Sequence, residues 1–165
     1  MSLPEWAVVS AGRKAHIERV AHLIADWADE MDVGEREKAR WLRAVYLHDA
    51  LRNAKPESGM QHGPNAAERA EREGERDRGV LDAVRYHTIG YAGWDDVGRM
   101  LYLADFLEPG RAFKRWKRRS WARRVPKERD AVLREVAAMR LRQVIKSGWP
   151  LPKESVDFWN SLAAR

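Results

Sequence analysis

The sequence contains no cysteine, which excludes a disulfide framework, a thiolate metal site and a cysteine nucleophile. It also lacks long apolar runs: no stretch approaches the ~18 residues that a membrane span needs, and the N-terminus has no secretory-signal pattern. Strand signals are scarce, with no sustained apolar/polar alternation and no Asn-Gly hairpin turn. No glycine-rich phosphate loop and no serine nucleophile motif is present, so a covalent mechanism has no candidate. These absences lead us to expect a cytoplasmic, all-α protein without a membrane partner, in which any metal is held by histidines and carboxylates.

What the sequence has in abundance is charge. Its 165 residues include 31 Lys+Arg and 25 Asp+Glu beside 44% apolar residues, a length that suits one domain with a real core. The formal charge of +6 is local: ten Lys/Arg and one Glu between Arg111 and Arg129 carry +9, leaving −3 for the rest. That asymmetry points to an anionic partner at one place.

Periodicity divides the chain into helices. Ser10 is placed to cap a first helix over 11–31, on which His16, Val20, Leu23 and Trp27 form an apolar stripe while His22 faces away from it. A second helix is expected over 35–53. Its latter half is apolar nearly all round and so suits the middle of a bundle. A loop over 55–63 follows, then a short helix with Pro64 at its first position that ends near Gly74. Further helices are expected over 77–87 and 95–107, the latter ended by Pro109-Gly110. A short basic helix, a long one over 127–147 closed by Gly148, and a last one over 153–164 complete the chain.

The adjacent pair His48-Asp49 lies on the most apolar of these helices, where an ionised carboxylate is costly unless compensated. Two readings are open: ordinary hydrogen bonding to other side chains, or a divalent cation between the two tips. His16 on its apolar stripe and Asp105 within Leu101–Leu107 are further polar groups in apolar settings, each readable as a satisfied core residue or as a ligand. Imidazole with carboxylate and no thiolate suits iron, manganese or zinc, with open positions for an activated water. His62 precedes a helix N-terminus, where it either contacts phosphate or a second metal, or is simply a loop histidine. His87 either ends a helix as its cap or joins the same site. Arg111, less than two turns beyond Asp105, is close enough to clamp a phosphate.

The order His16, His48-Asp49, His62, His87, Asp105 resembles the HD-domain metal-dependent phosphohydrolases, whose signature is a His, a His-Asp pair and a distal Asp. The blocks "HIERV", "YLHDALR", "HGPNAAE", "RYHTIGY" and "YLADFLEPGR" are similar to the YqeK family of bacterial symmetrical diadenosine-tetraphosphate hydrolases. The likeness runs from about His16 to Arg111 and returns in the closing "WPLPKESVDFWNSL".

This resemblance implies a helical HD bundle over 1–165, with a core over 11–111, the basic segment 111–129 and C-terminal helices over 127–165. It implies metal ligation, by iron in the family, through His16, His48, Asp49 and Asp105. Phosphate contacts are implied for His62, His87, Thr88 and Arg111, and for Arg52, which stands where the family usually has Lys. Asp49, His62 and His87 are the expected catalytic groups. A metal-activated water would attack the polyphosphate bridge, giving two ADP from diadenosine tetraphosphate. The rivals are a nucleotidase or pyrophosphatase acting on another nucleotide, and an RNA-binding protein that uses 111–129. That segment departs from the family in its basicity. It reads either as a solvated helix face with Trp116 and Trp121 packed inward, or as an electrostatic funnel for polyphosphate or nucleic acid. The number of metals and the assembly state are left open, a homodimer being one option.

Overall fold

The computed structural model describes residues 1–54 and 59–163; the expectations for 55–58 and for Ala164 lie outside the described residues. Helices make up all of its regular structure, and no strand occurs among the described residues. The helices are α1 (Ala11–Glu30), α2 (Glu35–His48), α3 (His62–Arg72), α4 (Arg78–Tyr86), α5 (Asp96–Leu107), α6 (Arg115–Lys146) and α7 (Lys153–Ala163). The protein is an all-α bundle.

Local chemistry sets the helix starts. Ser10, Asp77 and Asp95 are the N-caps of α1, α4 and α5, each accepting a hydrogen bond from a backbone N–H of the first turn. Two boundaries differ from the sequence expectation. Helix α2 stops at His48, with Asp49 outside it as the C-cap (φ −111°, ψ 13°), instead of running on to Asn53. Helix α3 begins at His62, two residues before Pro64. The proline sits comfortably there because the first N–H groups of a helix have no internal partner to lose.

The most central helix is α5, whose residues from Met100 to Leu107 are all buried. It packs against α1, α2, α4 and α6. Helix α2 is less enclosed than its composition suggests: Trp41, Ala44, Val45 and His48 are buried, while Leu42, Tyr46 and Leu47 are half-buried against the core. Helix α6 contains Pro126 and breaks at Glu128 (φ −134°, ψ 36°), so the expected basic helix and the long helix after it meet at a kink. Gly148 follows its end in the left-handed region (φ +72°).

Gly63 fixes one approach that matters for the centre. A Cβ there would lie 2.9 Å from the Val84 carbonyl oxygen and 3.1 Å from Cε1 of His87. Only glycine lets α3 come this close to the end of α4.

Candidate metal centre

The ends of five helices converge on one buried cluster. Helix α1 contributes His16; the end of α2 gives His48 and its cap Asp49; the start of α3 gives His62; the cap of α4 is His87; and α5 gives Asp105. All six side chains are buried. Because Asp49 has left the helix, its carboxylate can turn between the imidazoles. Its Oδ2 lies 3.4 Å from His48 Nε2 and 3.7 Å from His16 Nε2, while its Oδ1 lies 3.0 Å from His62 Nε2 and 3.7 Å from His87 Nε2. Asp105 Oδ1 stands 3.1 Å from His16 Nε2.

The tautomers follow from the surroundings. His48, His62 and His87 each donate Nδ1–H to a backbone carbonyl three residues earlier: Val45 at 2.7 Å, Gly59 at 2.7 Å and Val84 at 2.8 Å. A carbonyl can only accept, so Nδ1 carries the proton. His16 Nδ1 faces Glu108 Oε1 at 3.2 Å. Each ring is thereby locked with Nε2 toward the centre, the arrangement that metal-ligating histidines adopt.

Those inward atoms are poorly satisfied. Nε2 of His16 and of His48 are buried without a well-formed hydrogen bond. His62 Nε2 and His87 Nε2 face each other at 3.0 Å; two bare lone pairs at that separation repel, so they need a shared proton or a cation. The ligand atoms of His16, His48 and Asp49 form one group that could hold a metal ion, and those of Asp49, His62 and His87 form another. Four imidazoles and two carboxylates are a donor set fitted to iron, manganese or zinc.

Electrostatics favours ionised carboxylates. Burial opposes ionisation of Asp49, but the imidazoles of His48, His62 and His87 around it hold it well below the ordinary carboxylate range. Asp105 is likewise held low, against burial, by His16 and Arg111. Burial also opposes Glu108, yet His16, Arg19 and the Gly110 N–H bring it to about 2. His16 is lowered by burial but raised further by Asp105 and Glu108, with a net rise, whereas burial lowers His87.

Arginines surround the cluster. Arg111 Nη2 donates to Asp105 Oδ1 at 2.6 Å, Arg140 Nη1 lies 4.0 Å from Asp105 Oδ2, and Arg13 Nη1 donates to Asp49 Oδ2 at 2.7 Å. Thr88 Oγ1 is 3.3 Å from His87 Nε2. Beyond Thr88 and Arg140 opens a largely apolar cavity of about 600 Å3 that also meets Tyr102, Trp149 and Phe158.

Of the residues singled out from sequence, His16, His48, Asp49, His62, His87, Thr88, Asp105 and Arg111 come together. Arg52 does not join them; it lies in the turn after Asp49, with its guanidinium beside Gly59. Trp116 is not packed inward: it is 82% exposed, whereas Trp121 is buried. Arg13, Glu108 and Arg140 were missed. Arg13 and Glu108 stand three residues from His16 and Asp105, a spacing that places them on the same helical side. Arg140 reaches the centre from α6, and nothing local in the sequence signals it.

Comparison with known proteins agrees with this geometry. The family model for the HD domain matches residues 13–118. The symmetrical bis(5'-nucleosyl)-tetraphosphatase of Bacillus subtilis is 45% identical over 55 residues, which is 33% of this chain and 30% of that protein. The protein of the same name from Halalkalibacterium halodurans is 31% identical over 104 residues, 61% of this chain and 51% of that one. The matched stretches thus span about half or less of these relatives. A crystal structure of a predicted HD superfamily hydrolase involved in NAD metabolism from Clostridium acetobutylicum superposes with a TM-score of 0.78 at 21% identity, covering 95% of this chain and 92% of that one. That likeness shows a shared fold.

Proposed function

The chain belongs to the HD domain family, and from that premise we propose that it is a metal-dependent phosphohydrolase that cleaves a dinucleoside tetraphosphate symmetrically, diadenosine tetraphosphate giving two ADP. The observation that carries this reading is Asp49, whose two oxygens each face a separate pair of imidazole Nε2 atoms. His16, His48 and Asp49, with Asp105 beside them, would hold one divalent cation, and Asp49, His62 and His87 a second. Iron is the metal we favour, with manganese and zinc compatible with the same donors. When bound, such ions lower the pKa of water and polarise phosphoryl oxygens.

The chain's own residues do the rest. The backbone carbonyls of Val45, Gly59 and Val84 and the Glu108 carboxylate keep every Nε2 turned inward. Arg111 and Thr88 flank the cluster and would bind phosphate oxygens, Arg111 as a two-pronged donor. The cavity beyond Thr88 and Arg140, with Tyr102, Trp149 and Phe158 in its walls, would receive a nucleoside by apolar and ring contacts. Its size lies within the range of small-molecule sites.

Product chromatography tests the reading. Diadenosine tetraphosphate incubated with iron- or manganese-loaded protein should yield ADP alone. AMP with ATP, or no turnover with either metal, contradicts it.

A further inference from the structure

The basic segment holds a second concave feature, beside the metal centre and outside it. At the C-terminal end of α5 a cavity of about 380 Å3 is lined by Arg111, Arg115, Arg118, Arg119 and Arg123, with Glu108 as its one acid. Glu108 is already engaged by His16, Arg19 and the backbone N–H of Gly110. Arg111 is paired with Asp105, and Glu108 cannot neutralise the other four guanidiniums.

Arg118 is the unusual member. It is 4% exposed, and its Nε and Nη2 have no hydrogen-bond partner. Only Nη1 reaches an acceptor, the Phe113 carbonyl at a long 3.4 Å, while the guanidinium carbon lies 4.6 Å from the centre of the Phe106 ring. Burial, with repulsion from Arg111, lowers its pKa to about 10, which still leaves it charged at neutral pH. A buried cation without a carboxylate is costly, and one aromatic face compensates only in part. Arg115, Arg119 and Arg123 form no ion pair with a carboxylate among the described residues. On the same helix, Arg124 pairs with both Glu128 and Glu135. What sets the cavity apart from the other cations of the segment is that one of its guanidiniums, Arg118, is buried.

We propose that this cavity is a phosphate-binding site separate from the metal centre, with Arg118 as its buried anchor and Arg115, Arg119 and Arg123 around it. Its ligand is a phosphate group of a polyphosphate, either a free one or the chain of the substrate; this choice of ligand rests on the phosphohydrolase reading. Several guanidiniums lining one half-open cavity, Arg118 buried and Arg115, Arg119 and Arg123 exposed, suit a compact, multiply charged anion. A nucleic acid would call for stacking rings beside the arginines, and the exposed rings of the segment, Phe113 and Trp116, do not line the cavity. Arg111 connects the two places, since the side chain that lines this cavity also donates to Asp105.

The test is titration calorimetry on the full chain, stripped of metal and dialysed free of chelator, so that neither turnover nor ligation contributes. Inorganic pyrophosphate and diadenosine tetraphosphate are the two probes, with sodium chloride at matched ionic strength as the control. Both should bind saturably. Arg118→Met should weaken pyrophosphate by about tenfold or more without lowering the melting temperature, because it removes an unpaired buried charge; a purely structural arginine would instead lower the melting temperature and leave affinity intact. Should Arg118→Met not fold, the double variant Arg119→Ser/Arg123→Ser is read in the same titration and should bind more weakly. Pyrophosphate that shows no saturable heat overturns the proposal, as does affinity unchanged in these variants. Saturable binding of diadenosine tetraphosphate alone overturns it too, since the contact would then lie at the nucleoside. Pyrophosphate binding in a protein that hydrolyses no tetraphosphate sinks the phosphohydrolase reading and leaves this site standing.

Discussion

Two charged clusters hold α2 to its neighbours, and they are built on opposite plans. Near the start of the helix, Arg40 bonds Asp77 at 2.6 Å, Glu37 at 2.7 Å and Asp95 at 2.8 Å. Each nitrogen meets an oxygen, the pKa of Arg40 rises, and that of Asp77 falls to about 2. At the other end, His48 and Asp49 join three more imidazoles and Asp105, where lone pairs face lone pairs and two Nε2 atoms lack a well-formed bond. The first cluster is complete in itself. The second is complete only with added positive charge, which is what distinguishes a binding centre from a structural ion pair of similar composition.

Substitutions can break that contrast. The largest effect is expected from Asp49→Ala, which removes the carboxylate shared by both imidazole pairs. Hydrolysis should fall by about 1,000-fold or more while circular dichroism still reports a helical protein. Glu108→Gln keeps the size of the side chain but takes the charge from behind His16, and should weaken metal affinity by about 10- to 100-fold. Arg40→Met should do the reverse, lowering stability to denaturant by about 2 kcal/mol with hydrolysis by the folded fraction unchanged. A loss of activity in Arg40→Met equal to that in Glu108→Gln would erase the distinction.

The mildest probe is acid. Asp77 has a folded pKa of about 2 against an ordinary 3.8, so its ionised form is favoured by folding. The stability it contributes is present above pH 3.8 and is lost as pH falls from there toward 2. Denaturation midpoints measured across that window should drop less steeply in Asp77→Asn than in the wild type. Parallel slopes would show that Asp77 is not the group responsible.

Much of the fold was legible because helix signals are local. The Ser10 cap, the helix starts at Asp77 and Asp95, the Pro109-Gly110 stop and the Gly148 end all act within one turn of chain. That His16, His48, Asp49 and Asp105 belong together was legible because polar groups in apolar helices need a reason, and the structure brings these four side chains together in the core. The errors have different causes. Periodicity could not reveal that α2 ends at His48 and frees Asp49 to turn, because that serves His62 and His87 on other helices. Nor could composition separate Arg118 from the exposed cations around it. Its spacing to Trp121 and Val125, three and seven residues on, did carry the signal, since all three lie on the buried face. Charge is a solvated face by default, and here that default hid a buried guanidinium.

The central claim is that this cluster is a metal centre organised around Asp49. Elemental analysis of protein purified under nitrogen, with Asp49→Ala prepared in parallel, tests it most directly. The account predicts about two equivalents of divalent metal per wild-type chain, one for each ligand group, and a loss of most of that metal in the variant. Wild-type protein that retains no metal after loading, or equal content in the two proteins, would contradict it.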